Sequence, residues 1–272
     1  MPKRQAQSET EGSMMSSPYI ECHGLTLKTP AGPVYEDVNF TAEKGQVIAI
    51  FGTEGSGRTS LMLTMAGRMK ATKGDLRVAG FNIAKEYRKV RKISSLTLIP
   101  RINDVPENVK IDEILAAELQ VCGKSGRKAK VQQYLEEWNI SDLSGTKFNE
   151  LESYEGKYFD IALAFVSDPE ILMVDSIQAG LTQHQSIRVM KHLKDLAAKR
   201  NMTIFVALRE YDIARYADAV LVLSESAERQ RQAVLQEKGD SALCPICGTG
   251  NKVVLGPVQA IATENEEVTR GE

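Results

Sequence analysis

The chain has almost no excess of charge of either sign: 34 basic residues nearly cancel 36 acidic ones over 272 positions, a formal −2 at pH 7. A nucleic-acid surface normally shows a basic excess, so no nucleic-acid partner is expected. Long apolar runs are missing too. None approaches the ~20 residues that cross a bilayer, and Ile161 to Val166 reads as a short buried segment. The N-terminus, MPKRQAQSETEGSMMSS, lacks the apolar core of a secretory signal. A cytosolic location is therefore expected, where the four cysteines stay out of disulfides. Histidine is scarce: there are three. His184 and His192 share a predicted helix without an acid or cysteine to complete a ligand set, and both are expected on a solvated face. What remains, 42% hydrophobic and 26% charged, is the makeup of an ordinary globular chain.

Composition also divides the chain. Residues 1–18 are rich in Ser, Glu and Gln without periodicity and read as a disordered arm. Residues 225–272 read as a polar tail. Between them, Tyr19–Leu27 and Val34–Glu43 look like strands, the second feeding a glycine-rich turn. Thr59–Met69 has helical spacing, with Leu61, Met65 and Met69 on one face, and Leu76–Val78 is a strand. Ile111–Val121 and Arg127–Trp138 are amphipathic helix candidates joined by Gly123-Lys124-Ser125-Gly126. Then come a helix ending near Ser167, a strand Ile171–Val174, a helix Gln183–Arg200, a strand Thr203–Leu208, a short helix Tyr211–Tyr216 and a strand Ala219–Leu223. Strands that are apolar throughout and alternate with helices predict an α/β fold, with a mostly parallel sheet covered on both faces. No internal repeat is present. The basic stretch Lys85–Lys92 reads as a wet helix face, and Trp138 as a packing residue.

The chemistry concentrates after the apolar run Val47-Ile48-Ala49-Ile50-Phe51. There stand Gly52-Thr53-Glu54-Gly55-Ser56-Gly57-Arg58-Thr59-Ser60. Glycines let a tight turn aim successive N–H groups at one anion, and the following helix adds its positive end. A strand before and a helix after supply the context of a phosphate-binding loop, in which Thr59 would ligate Mg²⁺. That pattern expects Lys where Arg58 stands. The run Ile171-Leu172-Met173-Val174-Asp175 supplies a second part: a carboxylate at the carboxyl end of a strand, where parallel sheets bind ligands. Paired with the loop, Asp175 is a candidate Mg²⁺ ligand.

With those parts in place, residues 19 to about 224 resemble the nucleotide-binding domain of an ATP-binding cassette (ABC) transporter. Phe40, Gly45 and Gln46 lead into the phosphate strand as in that family, and LMLTMAG at 61–67 is similar to its loop helix. DIALAFVSDPEILMVDS resembles the segment from signature helix to metal-binding strand; AGL at 179–181 and ARYADAVLVL at 214–223 match the family's later segments. The resemblance implies a P-loop NTPase fold of the cassette type, with a helical subdomain inserted at about 105–155. It implies ATP and Mg²⁺ as ligands. It further implies a transmembrane transporter subunit as partner, a second cassette sandwiching ATP, and a membrane-peripheral location through that partner.

The resemblance also exposes departures. Where the family has the Glu that activates water, this chain has Ser176, and the switch histidine is Arg209. The glutamine that links the site to the membrane partner falls near Arg101. The signature LSGGQ aligns with Leu151-Glu152-Ser153-Tyr154-Glu155; Leu143-Ser144-Gly145 lies eight residues too early to serve. Thr182 replaces an Asp, and Thr29 replaces the aromatic that stacks adenine, for which Tyr35 or Tyr19 would have to substitute. A neutral hydroxyl is no base near pH 7, and Arg is not equivalent to Lys. ATP binding with slow or absent hydrolysis is therefore expected, and so is pairing with a competent cassette rather than with a second copy. An ATP-sensing scaffold without a membrane partner is the alternative. A P-loop kinase fits less well, since no Arg-rich lid segment stands out. Cys244-Pro245-Ile246-Cys247-Gly248 is half of a zinc knuckle; Cys244 and Cys247 would bind Zn²⁺ only with ligands from elsewhere.

Overall fold

A computed structural model describes residues 18–223 and 255–257. The expected N-terminal arm, save Pro18, lies outside them. So does the tail apart from residues 255–257, Cys244 and Cys247 included. In chain order, β1 (Ile20–Thr29) and β2 (Gly32–Ala42) form a hairpin, and β3 (Val47–Phe51) runs through the glycine turn into α1 (Arg58–Met65). Next are β4 (Lys73–Val78), β5 (Phe81–Asn82), α2 (Ile83–Ile93) and β6 (Ser94–Leu96). The helices α3 (Ile111–Val121) and α4 (Lys128–Glu137) precede α5 (Ser153–Phe165), β7 (Ile171–Val174) and α6 (Gln183–Arg200). Finally come β8 (Thr203–Leu208), α7 (Tyr211–Ala214), β9 (Ala219–Val222) and the edge strand β10 (Leu255–Pro257).

Two sheets result. One runs β10-β9-β3-β8-β7-β6, parallel except where β10 meets β9; the other is antiparallel, β2-β1-β4-β5. The second sheet corrects the expectation that Val34–Glu43 feeds the glycine turn. That segment is β2 and pairs with β1; β3 leads into the turn. The reason is written in burial: Val38, Phe40 and Ala42 are buried while Asn39 and Thr41 face water, the alternation of a sheet with one wet side. The strands β3, β7 and β8 are buried almost throughout, as a sheet covered on both sides requires.

Each central strand divides its side chains between two cores. Ile48, Ile50, Ile171, Met173 and Phe205 join the antiparallel sheet and α1 in one cluster. Val47, Ala49, Leu172, Val174, Ile204 and Val206 join α5, α6 and α7 in the other. Full burial of such a side chain contributes about 1.5–3 kcal/mol. A third cluster holds α3 and α4 against α5 through Ile111, Leu115, Leu135 and Phe159. Trp138 packs between the second and third clusters, 5.0 Å from the Phe165 ring.

The solvated position expected for His192 is corrected. Its ring lies 5.1 Å from that of Tyr158 and 6.2 Å from that of Trp138, its Nε2 is buried without a partner, and burial lowers its pKa below the usual imidazole value. The helix turns this position inward against two aromatic neighbours. His184 is exposed, as expected.

One hydrogen bond ties the antiparallel sheet to the helix behind the glycine turn. The fully buried Tyr35 hydroxyl lies 2.8 Å from Thr64 Oγ1, which also donates to the Ser60 carbonyl. Tyr35→Phe is expected to lower stability by about 1 kcal/mol, read as a lower urea midpoint at unchanged slope. An unchanged midpoint would show that the bond makes no net contribution.

Candidate phosphate-binding site

The central strand β3 lies between β9 and β8 and ends level with Leu208. Beyond it the backbone folds into a concave nest, with Gly55 at φ +81° and Gly57 at φ +89°. Only glycine takes this conformation freely, and at Gly57 space is a second constraint: a Cβ would stand 2.7 Å from the Val34 carbonyl oxygen. Gly57 also starts α1 without a side-chain cap. The N–H groups of Gly57, Arg58, Thr59 and Ser60 thus find no acceptor among the described residues, as the first turn of a helix dictates. Ser56, at 1% exposure, buries its Oγ without a hydrogen-bond partner. Unpaired donors around one concavity, with an orphaned hydroxyl among them, fit a polyphosphate.

The Thr59 hydroxyl donates to Asp175 Oδ2 at 3.1 Å. Asp175 is buried at the end of β7, with its own N–H held by Thr97 Oγ1 at 3.1 Å. The two residues expected to share Mg²⁺ therefore stand together, as a hydroxyl and a carboxylate with the geometry to contact one ion.

Arg58 does not extend freely into the nest. Its Nη1 donates to the carbonyls of Gly52 and Leu208, the latter at 2.8 Å, tying together the ends of β3 and β8. Burial lowers its pKa and Arg209 adds to that, while Asp175 and Glu54 oppose it. Arg209 lies 3.5 Å from the exposed Glu54 carboxylate across the mouth of the loop. Ser176 is exposed at φ +47°. Thr182 is the N-cap of α6, its hydroxyl accepting from Gln185 N at 3.3 Å. Arg101 is exposed at φ +67°, in a turn closed by its N–H donating to Asp104 Oδ2 at 2.7 Å. At the signature position, Glu152 and Glu155 form a capping box at the start of α5, Glu152 N–H donating to Glu155 Oε2 at 2.9 Å.

Neither tyrosine suggested for stacking a base is available. Tyr35 is buried in the first core. Tyr19 donates its hydroxyl to Glu170, before the start of β7, at the end of the parallel strands opposite the loop.

Sequence reasoning missed Lys157 and Asp160, both on α5. The Asp160 carboxylate is 5% exposed as a residue, accepts the Leu98 N–H at 2.6 Å, and lies 3.5 Å from Lys157 Nζ, which also donates to the Asp175 carbonyl at 3.5 Å. An acid inside the apolar run Phe159-Asp160-Ile161-Ala162-Leu163 was the available signal. Burial raises the Asp160 pKa to about 6, against the opposing pull of Lys157. The unfolded chain ionises this group near 3.8 and the folded chain only near 6. Its ionisation therefore costs stability as pH rises between those values, and below them the cost is absent. Relative to Asp160→Asn, the wild type is expected to lose about 2–3 kcal/mol from pH 4 to pH 7, read from urea unfolding. Parallel pH profiles for the two proteins would remove this assignment.

A parallel sheet whose central strand opens into a glycine nest at a helix start, with a strand-end carboxylate beside the helix hydroxyl, defines the P-loop NTPase fold. Within that class, the family model described as ABC transporter matches residues 35–179. The match covers more than half of the chain, which belongs to the ABC transporter family. Among its relatives is the uncharacterized ABC transporter ATP-binding protein YhcH of Bacillus subtilis, 26% identical over 193 residues, 69% of this chain and 61% of that protein. The chain thus spans less than two thirds of this relative's length. Its fold matches cbiO1 of Clostridium perfringens, part of the ABC transporter complex cbiONQ, with TM-score 0.66 and 20% identity over 81% of this chain and 96% of that one. It also matches a dimeric post-hydrolysis cassette, MJ0796 bound to ADP and Pi, with TM-score 0.65 and 17% identity over 76% and 96%.

Proposed function

We propose that this chain is an ATP-binding subunit of an ABC-type transporter that binds MgATP at residues 52–60 and hydrolyses it slowly or not at all. The observation that carries the reading is the unpaired nest of N–H donors at the start of α1, with Thr59 and Asp175 3.1 Å apart beside it. Bound Mg²⁺ would screen the phosphate charge, and Thr59 and Asp175 would hold it. Ser176 cannot take a proton from water near pH 7, so the attacking water lacks a base. Arg58, engaged with two backbone carbonyls, must be released before it reaches a phosphate.

Cassettes of this family dimerise and work with transmembrane partners. The start of α5 bears on how this one pairs. The backbone N–H of Glu152 is taken by the chain's own Glu155, and two carboxylates stand where a partner's nucleotide would meet the helix end. Like charge disfavours an anion there, which supports pairing with a competent cassette rather than with a second copy. A cleft of about 530 Å³ between the residues after β6 and the helices α3 and α5 exposes Ile102 at 53% and supports docking of a membrane partner's element near Arg101. Among the described residues no helix is long and apolar enough to cross a membrane, so membrane association would come through that partner. Native mass spectrometry with MgATP is expected to give a nucleotide-loaded monomer. A homodimer closed around ATP would contradict the heteromeric reading.

A further inference from the structure

The near-neutral total charge hides a strong local imbalance. Residues 68–92 carry nine Lys and Arg against two acids, in a chain of net −2. Part of this charge rims a groove of about 550 Å³ between the turn after α1, the start of β4 and α2. Its floor is apolar, formed by Leu25, Leu76 and Ile83, and its rim carries Arg68, Lys70, Lys73 and Arg91. No acidic residue lines it, and among the described residues none of the four cations has a carboxylate partner. Partial burial lowers the Arg68 pKa, and neighbouring Arg91 lowers it further.

The groove is built rather than incidental. At Gly67, φ +68°, a Cβ would stand 2.8 Å from the Tyr87 carbonyl oxygen, so only glycine lets the turn approach α2 and bring Arg68 beside Arg91. At Gly74, φ +93°, a Cβ would stand 2.5 Å from the Gly24 carbonyl oxygen, which fixes the other wall. A preformed cavity of this size, apolar below with converging donors above, is what a small molecule needs.

We propose that this groove binds a small organic anion with an apolar body, such as an alkyl or aryl phosphate or carboxylate. The apolar body covers the leucines and Ile83, and the two guanidinium forks take the anionic head. A concave site of limited volume favours a compact ligand over a nucleic acid or a lipid surface, either of which would call for a broad face. The groove lies at the end of α1 opposite the glycine nest, so the proposal stands apart from the nucleotide reading.

Calorimetry on the full chain tests it, with octyl phosphate below its micelle concentration as the probe. Octyl phosphate is expected to bind at least about tenfold more tightly than octanol, octyltrimethylammonium or inorganic phosphate, a difference of about 1.4 kcal/mol. Arg68→Ala with Arg91→Ala is expected to weaken it about tenfold or more, and Lys70→Ala with Lys73→Ala by a smaller factor. Neither arginine side chain hydrogen-bonds within the described chain, so these variants should keep the fold, which circular dichroism checks. Saturating MgATP is expected to leave the affinity unchanged, since the glycine nest lies at the other end of α1. Equal binding of octanol, displacement by MgATP, or unchanged affinity in the Arg68→Ala, Arg91→Ala variant would overturn the proposal. Binding to phosphatidylglycerol vesicles with none to soluble octyl phosphate would overturn it in favour of a membrane surface.

Discussion

Arg58→Lys, Ser176→Glu and Arg209→His, combined in one variant, are expected to raise single-turnover ATP cleavage by about 10²–10⁴-fold, the usual contribution of a positioned base. Three separate defects are repaired. Glu at position 176 supplies a proton acceptor where the wild type has an exposed hydroxyl at φ +47°; the backbone there already tolerates a side chain, so the exchange adds no new strain. Lysine at position 58 cannot reproduce the guanidinium's two-carbonyl grip on Gly52 and Leu208, and its compact ammonium is free to follow the phosphates. Histidine at position 209 removes the cation that pairs with Glu54 at the loop's mouth. Quenched-flow release of labelled phosphate measures the rate. A wild type already as fast as the triple variant would mean that these positions are not the defect.

Gly57→Val is expected to weaken MgATP binding by at least about 10²-fold, close to 3 kcal/mol. Two effects act together. A β-branched residue at φ +89° is strained by about 1–2 kcal/mol, and its Cβ meets the Val34 carbonyl oxygen at 2.7 Å, a backbone atom that cannot swing aside. The turn must open, and the N–H groups at the start of α1 no longer converge. Gly80→Ala is the matched control: φ is +78°, nothing lies within 4 Å of its added Cβ, and it sits far from the loop in sequence. Its affinity should equal that of wild type. If both substitutions cost the same affinity, backbone strain alone is at work and the nest has no special part.

The parallel core was legible because its longer strands, β3, β7 and β8, are apolar almost throughout. A segment such as Val47–Phe51 or Thr203–Leu208 cannot stand at a wet surface, and the bounds of β7, β8, α3 and α6 coincide with those read from pattern alone. The antiparallel sheet escaped notice although β2 alternates cleanly from Val38 to Ala42, because no local signal says with which sheet a strand pairs. The three-residue β6 is too short to carry any period. At the candidate site, the glycine spacing and the strand-end position of Asp175 could be read from sequence, since each is a local demand of chain geometry. The inward turn of Arg58 could not: it depends on the Leu208 carbonyl 150 residues away. Asp160 and His192 were likewise missed because tertiary packing, not their neighbours in the chain, decides their burial.

Calorimetric titration of the full chain with ATP, with and without Mg²⁺, tests the central claim most directly. A saturable heat is expected that weakens when Mg²⁺ is withheld, and Asp175→Asn is expected to remove that dependence on the metal. A flat titration with both ATP and ADP in the presence of Mg²⁺, from a chain that circular dichroism shows to be folded, would contradict it.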